Sequence, residues 1–160
     1  MEQREQTLNI IWIAMTAAVG VYWYVHHLVG VRGTTPTTGL MTLLLAGISA
    51  AECAGGWIFN QRILTTIADK VSAFQLAGPS AEVRAELEQR LQSTAIICLA
   101  LFEAIAVYGL VGSFIGSPYP YTFEWFAGVS LMNLVFYRLQ VYPRIFQILE
   151  RLEQARLRAS

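Results

Sequence analysis

Four long apolar stretches divide the chain, and polar or charged segments separate them. They cover residues 8–31, 40–59, 94–115 and 123–142, and each reaches the roughly 20 residues that a helix needs to cross a bilayer. The pattern predicts an all-α membrane protein with four transmembrane helices in a single domain, 1–160. The first stretch is longer than the apolar core of a secretory signal, and its leader is not positive overall, so we expect it to remain as a helix.

The connection between the second and third stretches, residues 60–93, is charged but keeps apolar residues at helical spacing. Ile63, Ile67 and Val71 recur before a Gly-Pro-Ser turn, and the same spacing resumes after it. We therefore predict that the second and third helices extend beyond the bilayer as a cytoplasmic helical hairpin. The tail, 143–160, is predicted to form an amphipathic helix with arginines off its apolar face.

Basic residues lie almost entirely on one side of this predicted topology. If both termini are cytoplasmic, that side holds every lysine and arginine except Arg32. Aromatic residues such as Trp23 and Trp125 mark the opposite boundary. The charge asymmetry predicts a multi-pass protein of the inner or plasma membrane of a prokaryote, with cytoplasmic N and C termini.

Composition supports the membrane class and removes several others. Hydrophobic residues make up 55% of the chain and charged residues 14%, and the mean hydropathy is +0.47, which is unsuited to a water-soluble surface. The formal net charge of zero provides no field to attract nucleic acid, so we expect no nucleic-acid partner. Cys53 and Cys98 stand singly in apolar runs and are expected to be small core residues. His26 and His27 point about 100° apart on a helix with no further histidine, so we expect no metal site.

Two acidic residues, Glu52 and Glu103, lie near the middle of apolar stretches. An ionisable residue in hydrocarbon costs roughly 3 kcal/mol, so each needs an explanation. Counting inward at about 1.5 Å per residue places the two at similar depths on neighbouring helices, and we expect them to be close. Burial and a nearby carboxylate both favour the protonated form, so such a pair can take up and release a proton. The alternative is a pair of neutral acids that hydrogen-bond between helices only to hold them together.

The residues around Glu103 resemble a known family. Residues 99–109, Leu-Ala-Leu-Phe-Glu-Ala-Ile-Ala-Val-Tyr-Gly, within the segment 93–111, are similar to the ion-binding helix of the proteolipid c subunit of rotary F- and V-type ATP synthases. The resemblance implies that Glu103 is the ion-carrying carboxylate and that Tyr108 helps to lock it. Ala104, where sodium-binding members carry a hydroxyl, implies protons rather than sodium. Helices one and four and the long connection are additional, so the chain is similar to a divergent four-helix relative rather than to a rotor subunit.

Two more polar residues lie in the fourth stretch. Arg138, toward its cytoplasmic end, either extends its side chain to the interface or forms an ion pair with Glu52 or Glu103. Asn133 is expected to hydrogen-bond between helices.

No nucleophile and base pair, phosphate loop or redox motif is present in the sequence, so we expect neither an enzyme nor a cofactor. Two functions fit the remaining pattern. The first is a proton-binding membrane protein that takes part in proton translocation or in a membrane complex, with Glu103, Glu52 and Tyr108 at its site. The second is a non-transporting scaffold that binds a partner through the hairpin and the tail. Both place the protein in a lipid bilayer, as a homo-oligomer or with a membrane-complex partner.

Overall fold

The computed structural model describes residues 2–29, 39–73, 81–117, 119 and 121–159. Within these residues the chain is helical except for the turn before α4, and it contains no strand. The helices are α1 (Glu2–Val29), α2 (Gly39–Ala73), α3 (Ala81–Phe114), α4 (Thr122–Phe136) and α5 (Tyr142–Ala159), with a π-helical turn at Tyr137–Val141 between α4 and α5. The all-α prediction is confirmed for this part of the chain.

Three of these helices are long and apolar enough to cross a membrane, over Gln6–Val29, Gly39–Ser72 and Ala81–Phe114. The helix α4 has 15 residues, which is shorter than a typical span. The helices α2 and α3 have 35 and 34 residues, so each continues through the charged connection well beyond its apolar section. The predicted turn of the hairpin lies outside the described residues.

The helix α3 is central, because it packs against α1, α2 and α4. Hydrogen-bonded pairs show that α2 and α3 are antiparallel: Thr42 donates to Ser117 at 3.0 Å, whereas the Cys98 thiol reaches the Gly56 carbonyl at 3.5 Å further along. The core of the bundle contains several α3 side chains that are fully or almost fully buried, namely Leu99, Phe102, Ile105 and Ala106. These residues fall at spacings of three, three and one, which places them along one broad face of the helix.

Large apolar side chains are exposed around the outside of the bundle. Examples are Ile13 and Val21 on α1, Leu43 and Ile58 on α2, and Trp125, which is 72% exposed, on α4. In a soluble monomer, large exposed apolar patches are rare, and exposed apolar side chains usually occur singly. Together with the three long apolar helices, this surface is typical of a multi-pass membrane protein.

The π-helical turn at Tyr137–Val141 adjusts the helix for the proline that follows. Pro143 has no N–H to donate, and in a regular helix its ring would collide with the carbonyl four residues earlier. In the wider turn, the Tyr142 N–H instead donates to the Tyr137 carbonyl, a spacing of five residues. The chain therefore enters α5 without ending the helix.

The helix α5 packs against the extensions of α2 and α3. Buried apolar side chains fill this contact, including Leu64 and Ile67 of α2, Leu91 of α3, and Ile145 and Leu152 of α5. The apolar face predicted for the tail is therefore covered by the chain's own hairpin helices over the described side chains.

Candidate functional site: two carboxyl–tyrosine pairs

The Glu103 carboxyl faces α1, where the hydroxyl of Tyr22 donates a hydrogen bond to its Oε1 atom. Both side chains are half-buried between the two helices. Tyr22 lies within the apolar section of α1 and Glu103 within that of α3. The contact therefore joins an acid and a phenol inside the apolar layer, where water is scarce.

The Glu52 carboxyl forms a second pair with a tyrosine. The Tyr108 hydroxyl of α3 donates to Glu52 Oε1 of α2 at 2.7 Å. The other carboxyl oxygen, Oε2, is buried and has no hydrogen-bond partner in the structure. An ionised carboxylate with a single donor at this depth would carry a large desolvation penalty, whereas a protonated carboxyl carries a smaller one.

The helical repeat explains why the acids are in separate pairs. Glu103 and Tyr108 are five residues apart, so they point about 140° apart around α3. The helix therefore turns its carboxyl toward α1 and its hydroxyl toward α2. In the described part of the chain no hydrogen bond joins Glu52 to Glu103. Tyr108, which the family resemblance associates with Glu103, is bonded to Glu52.

Tyr22 is the member of this candidate site that the sequence pattern does not identify. It belongs to a run of aromatic residues, Tyr-Trp-Tyr, that is equally typical of a membrane boundary. Tyr22 could have been identified because the Glu103 carboxyl needs a hydrogen-bond donor from a neighbouring helix. A carboxyl in hydrocarbon must hydrogen-bond to a neighbour, and a tyrosine hydroxyl in an adjacent apolar helix is one donor that can supply the bond.

The guanidinium of Arg138 lies over two aromatic rings. Its central carbon is 4.7 Å from the ring centroid of Tyr142 and 6.0 Å from that of Trp12. A cation–π contact of this kind stabilises the charge where the apolar section of the helix ends. Among the described residues the structure gives Arg138 no ion pair with Glu52 or with Glu103.

Asn133 forms the interhelical hydrogen bonds expected for it. Its side-chain oxygen accepts from the Trp57 indole N–H at 2.9 Å and from the Cys53 thiol at 3.2 Å. Its amide donates to the Val129 carbonyl in its own helix at 2.8 Å. The residue is buried, and these contacts tie α4 to α2 beside the central helix.

At the opposite end of the bundle, His26 joins α1 to α3 and α4. Its Nδ1 is 3.1 Å from the Ser113 hydroxyl, and its Nε2 is 3.8 Å from Glu124 Oε1. The imidazole also stacks on Phe123, with ring centroids 4.8 Å apart. The side chain of His27 turns back to the carbonyl of Trp23. Among the described residues, no three side chains of the ligating types are grouped to hold a metal ion.

The geometry gives the chain two acids within the apolar helices, each accepting a hydrogen bond from one phenol of a neighbouring helix. Such a group can hold a proton in hydrocarbon and release it when a path to water or to a base opens. Compared with models of known protein families, with curated proteins and with solved structures, the chain matches none.

Proposed function

We propose that the chain is a four-span integral membrane protein in which Glu103 binds and releases a proton within the bilayer. The observation that carries this proposal is the hydrogen bond from Tyr22 to Glu103, because it holds an acid at mid-membrane depth with a single neutral donor. The same arrangement recurs at Glu52 and Tyr108. Glu52 is proposed as a second proton-binding carboxyl.

The fourth span in this proposal is α4 together with the π-helical turn. The two form an uninterrupted helix over residues 122–141, which is long enough to cross about 30 Å of hydrocarbon. The helix α4 packs along α3 and α1, and its surface includes exposed apolar side chains such as Met132 and Val135. With four spans, the side of the membrane that holds both termini also holds every lysine and arginine except Arg32. We place that side in the cytoplasm, because cytoplasmic segments carry the excess of positive charge.

A proton is the ion that fits this site. A sodium ion needs several oxygen ligands around it, whereas among the described residues each carboxyl has one hydroxyl as its hydrogen-bond partner. The phenol would orient the carboxyl in both of its forms, because the protonated and the ionised carboxyl each have an oxygen that can accept the hydrogen bond. In the resemblance to the c subunit a tyrosine locks the carboxyl, and here Tyr22 makes the contact to Glu103.

Labelling with a hydrophobic carbodiimide tests this proposal, because the reagent enters the bilayer and reacts with protonated carboxyls. The reconstituted protein should be modified at Glu103, and raising the pH should reduce the yield as the carboxyl loses its proton. Glu103→Gln should abolish the modification of that peptide. Glu124, which lies in the first turn of α4 with its side chain 37% exposed, serves as an internal comparison. Absence of labelling at Glu103 at every pH would contradict the proposal.

A second candidate function, a scaffold for a membrane complex, is favoured by the ordered helices outside the apolar layer. The Arg84 guanidinium binds Glu88 at 2.7 Å and Glu153 of α5 at 2.5 Å, which fixes the tail against the hairpin. A rigid surface of this kind suits a protein partner. Native mass spectrometry of the solubilised protein would reveal a partner protein that co-purifies with it. Loss of that partner in the Arg84→Gln variant would support the scaffold function.

A further inference from the structure

A groove lies between α2 and α5, directly beyond the apolar section of α2. It has a volume of about 290 Å³. Its walls are formed by Gln61, Leu64, Thr65 and Ala68 of α2 and by Arg144, Gln147, Ile148 and Arg151 of α5. The groove is remote from Glu103 and takes no part in the proton site.

Two arginines give the groove its charge. Arg144 and Arg151 are seven residues apart, so they lie on one face of α5, about 10 Å apart along the axis. Arg144 donates a long hydrogen bond to the Gln61 side-chain oxygen at 3.4 Å. Within the described part of the chain neither arginine forms an ion pair, whereas Arg84 and Arg90 are both paired with glutamates. The groove therefore holds two positive charges that no acidic side chain among the described residues neutralises.

The depth of the groove matches that of lipid headgroups. Gln61 and Arg144 each follow the end of an apolar stretch by two residues, which places them where the hydrocarbon ends and the polar layer begins. One turn further into the bilayer, Ile58 of α2 is 57% exposed, and Leu139, on the helix that leads into α5, is 67% exposed. Apolar surface for acyl chains therefore adjoins a positively charged pocket.

We propose that this groove binds the headgroup of an anionic phospholipid. The phosphate would lie between Arg144 and Arg151, since a guanidinium presents paired donors that match phosphate oxygens. The amides of Gln61 and Gln147 provide further donors at its rim. Acyl chains would follow the exposed apolar side chains above. A free phosphate or an acidic peptide would meet the same arginines but would leave the adjoining apolar surface unused, so lipid fits the whole site.

Native mass spectrometry of the full-length protein tests the proposal. The protein is released from nanodiscs containing equal amounts of phosphatidylglycerol and phosphatidylcholine, and the ratio of the two retained lipids is measured. The wild type should retain phosphatidylglycerol preferentially. Arg144→Gln and Arg151→Gln should each weaken its binding by about fivefold, the effect of removing one basic charge near the membrane surface.

Arg62→Gln is the matched control. Arg62 is exposed, lies next to Gln61 on α2 at the same depth, and does not line the groove. Its loss should leave the lipid ratio unchanged. An equal effect of all three substitutions would show diffuse attraction of charge and overturn the proposal, as would an unchanged ratio in the Arg144→Gln, Arg151→Gln double variant. Displacement of the retained lipid by inorganic phosphate or by a glutamate-rich peptide would identify a different ligand and also overturn it.

Discussion

Replacement of Gly109 by alanine should loosen the contact between α3 and α4. A Cβ atom at this position would come closer than 3.0 Å to the Phe126 Cβ, 3.1 Å from the Phe126 Cγ and 3.3 Å from the Phe123 carbonyl oxygen. Non-bonded carbon atoms rest about 3.5–4.0 Å apart, so the helices would have to separate by at least about 0.5 Å. Because the obstacles include backbone and a Cβ atom, rotation of a side chain cannot relieve the overlap.

The magnitude follows from two terms of opposite sign. Overpacking of a close contact typically costs about 1–3 kcal/mol, whereas replacing a helical glycine by alanine gains about 0.5–1 kcal/mol. Gly128→Ala carries only the second term, so the difference between the two variants isolates the first. Gly128 lies on α4, two residues from Phe126, and a Cβ there would meet nothing within 4 Å. The second term is therefore shared, and the free energies of unfolding of the two variants should differ by about 1–3 kcal/mol.

Reversible unfolding of the purified protein in mixed micelles, followed by far-UV circular dichroism, measures this difference. Gly109→Ala should unfold at a lower fraction of denaturing detergent than Gly128→Ala. Equal free energies of unfolding for the two variants would refute the packing of α3 against α4 at Gly109.

Three other predictions concern the hydrogen bonds and the topology. Tyr22→Phe and Tyr108→Phe should each lower the free energy of unfolding by about 0.6 kcal/mol, the average for interhelical hydrogen bonds in a membrane, and by no more than about 1.7 kcal/mol. Each should also shift the infrared carboxyl band of the partner acid; an unshifted band would contradict that pairing. Asn133→Leu should cost about 1–3 kcal/mol in the same unfolding assay, because it leaves the indole N–H of α2 without an acceptor, and an unchanged stability would show that this contact is dispensable. In a background without native cysteines, an impermeant thiol reagent added to intact cells should label Tyr119→Cys and should not label Gln89→Cys, which the proposed topology places on the cytoplasmic side. Equal labelling of the two would contradict the four-span topology.

The helices could be predicted from the sequence because hydrophobic periodicity is a local property. Apolar stretches placed the long helices, and continued spacing at Ile63 and Ile67 predicted that α2 extends past its apolar section, as it does to Ala73. The interhelical role of Asn133 followed from its polarity in an apolar run. Each of these inferences needs only one segment of chain and the solvent around it.

The tyrosine partner of each acid could not be predicted from the sequence, because the position of a residue along its helix does not show which neighbouring helix its side chain faces. Counting residues gave Glu52 and Glu103 similar levels, but which neighbour each side chain faces depends on the rotation of α3 and on the order of helices around it. The structure places α1 on one side of α3 and α2 on another, so the acids are bonded to different tyrosines. The surface that the amphipathic tail packs against could not be predicted either, because an apolar helix face suits a bilayer surface as well as a pair of helices.

Proton exchange at Glu103 is the central claim, and infrared difference spectroscopy of the reconstituted protein tests it most directly. The protonated carboxyl stretch is recorded as the pH is stepped between about 5 and 9, a range in which buried glutamic acids can titrate. Wild type is compared with Glu103→Gln and Glu52→Gln to assign each band. We expect a band that is absent from Glu103→Gln and that loses intensity reversibly as the pH rises. A Glu103 band of constant intensity across the whole range, in wild type and in Glu52→Gln, would contradict proton exchange and leave the acid as a structural contact between α1 and α3.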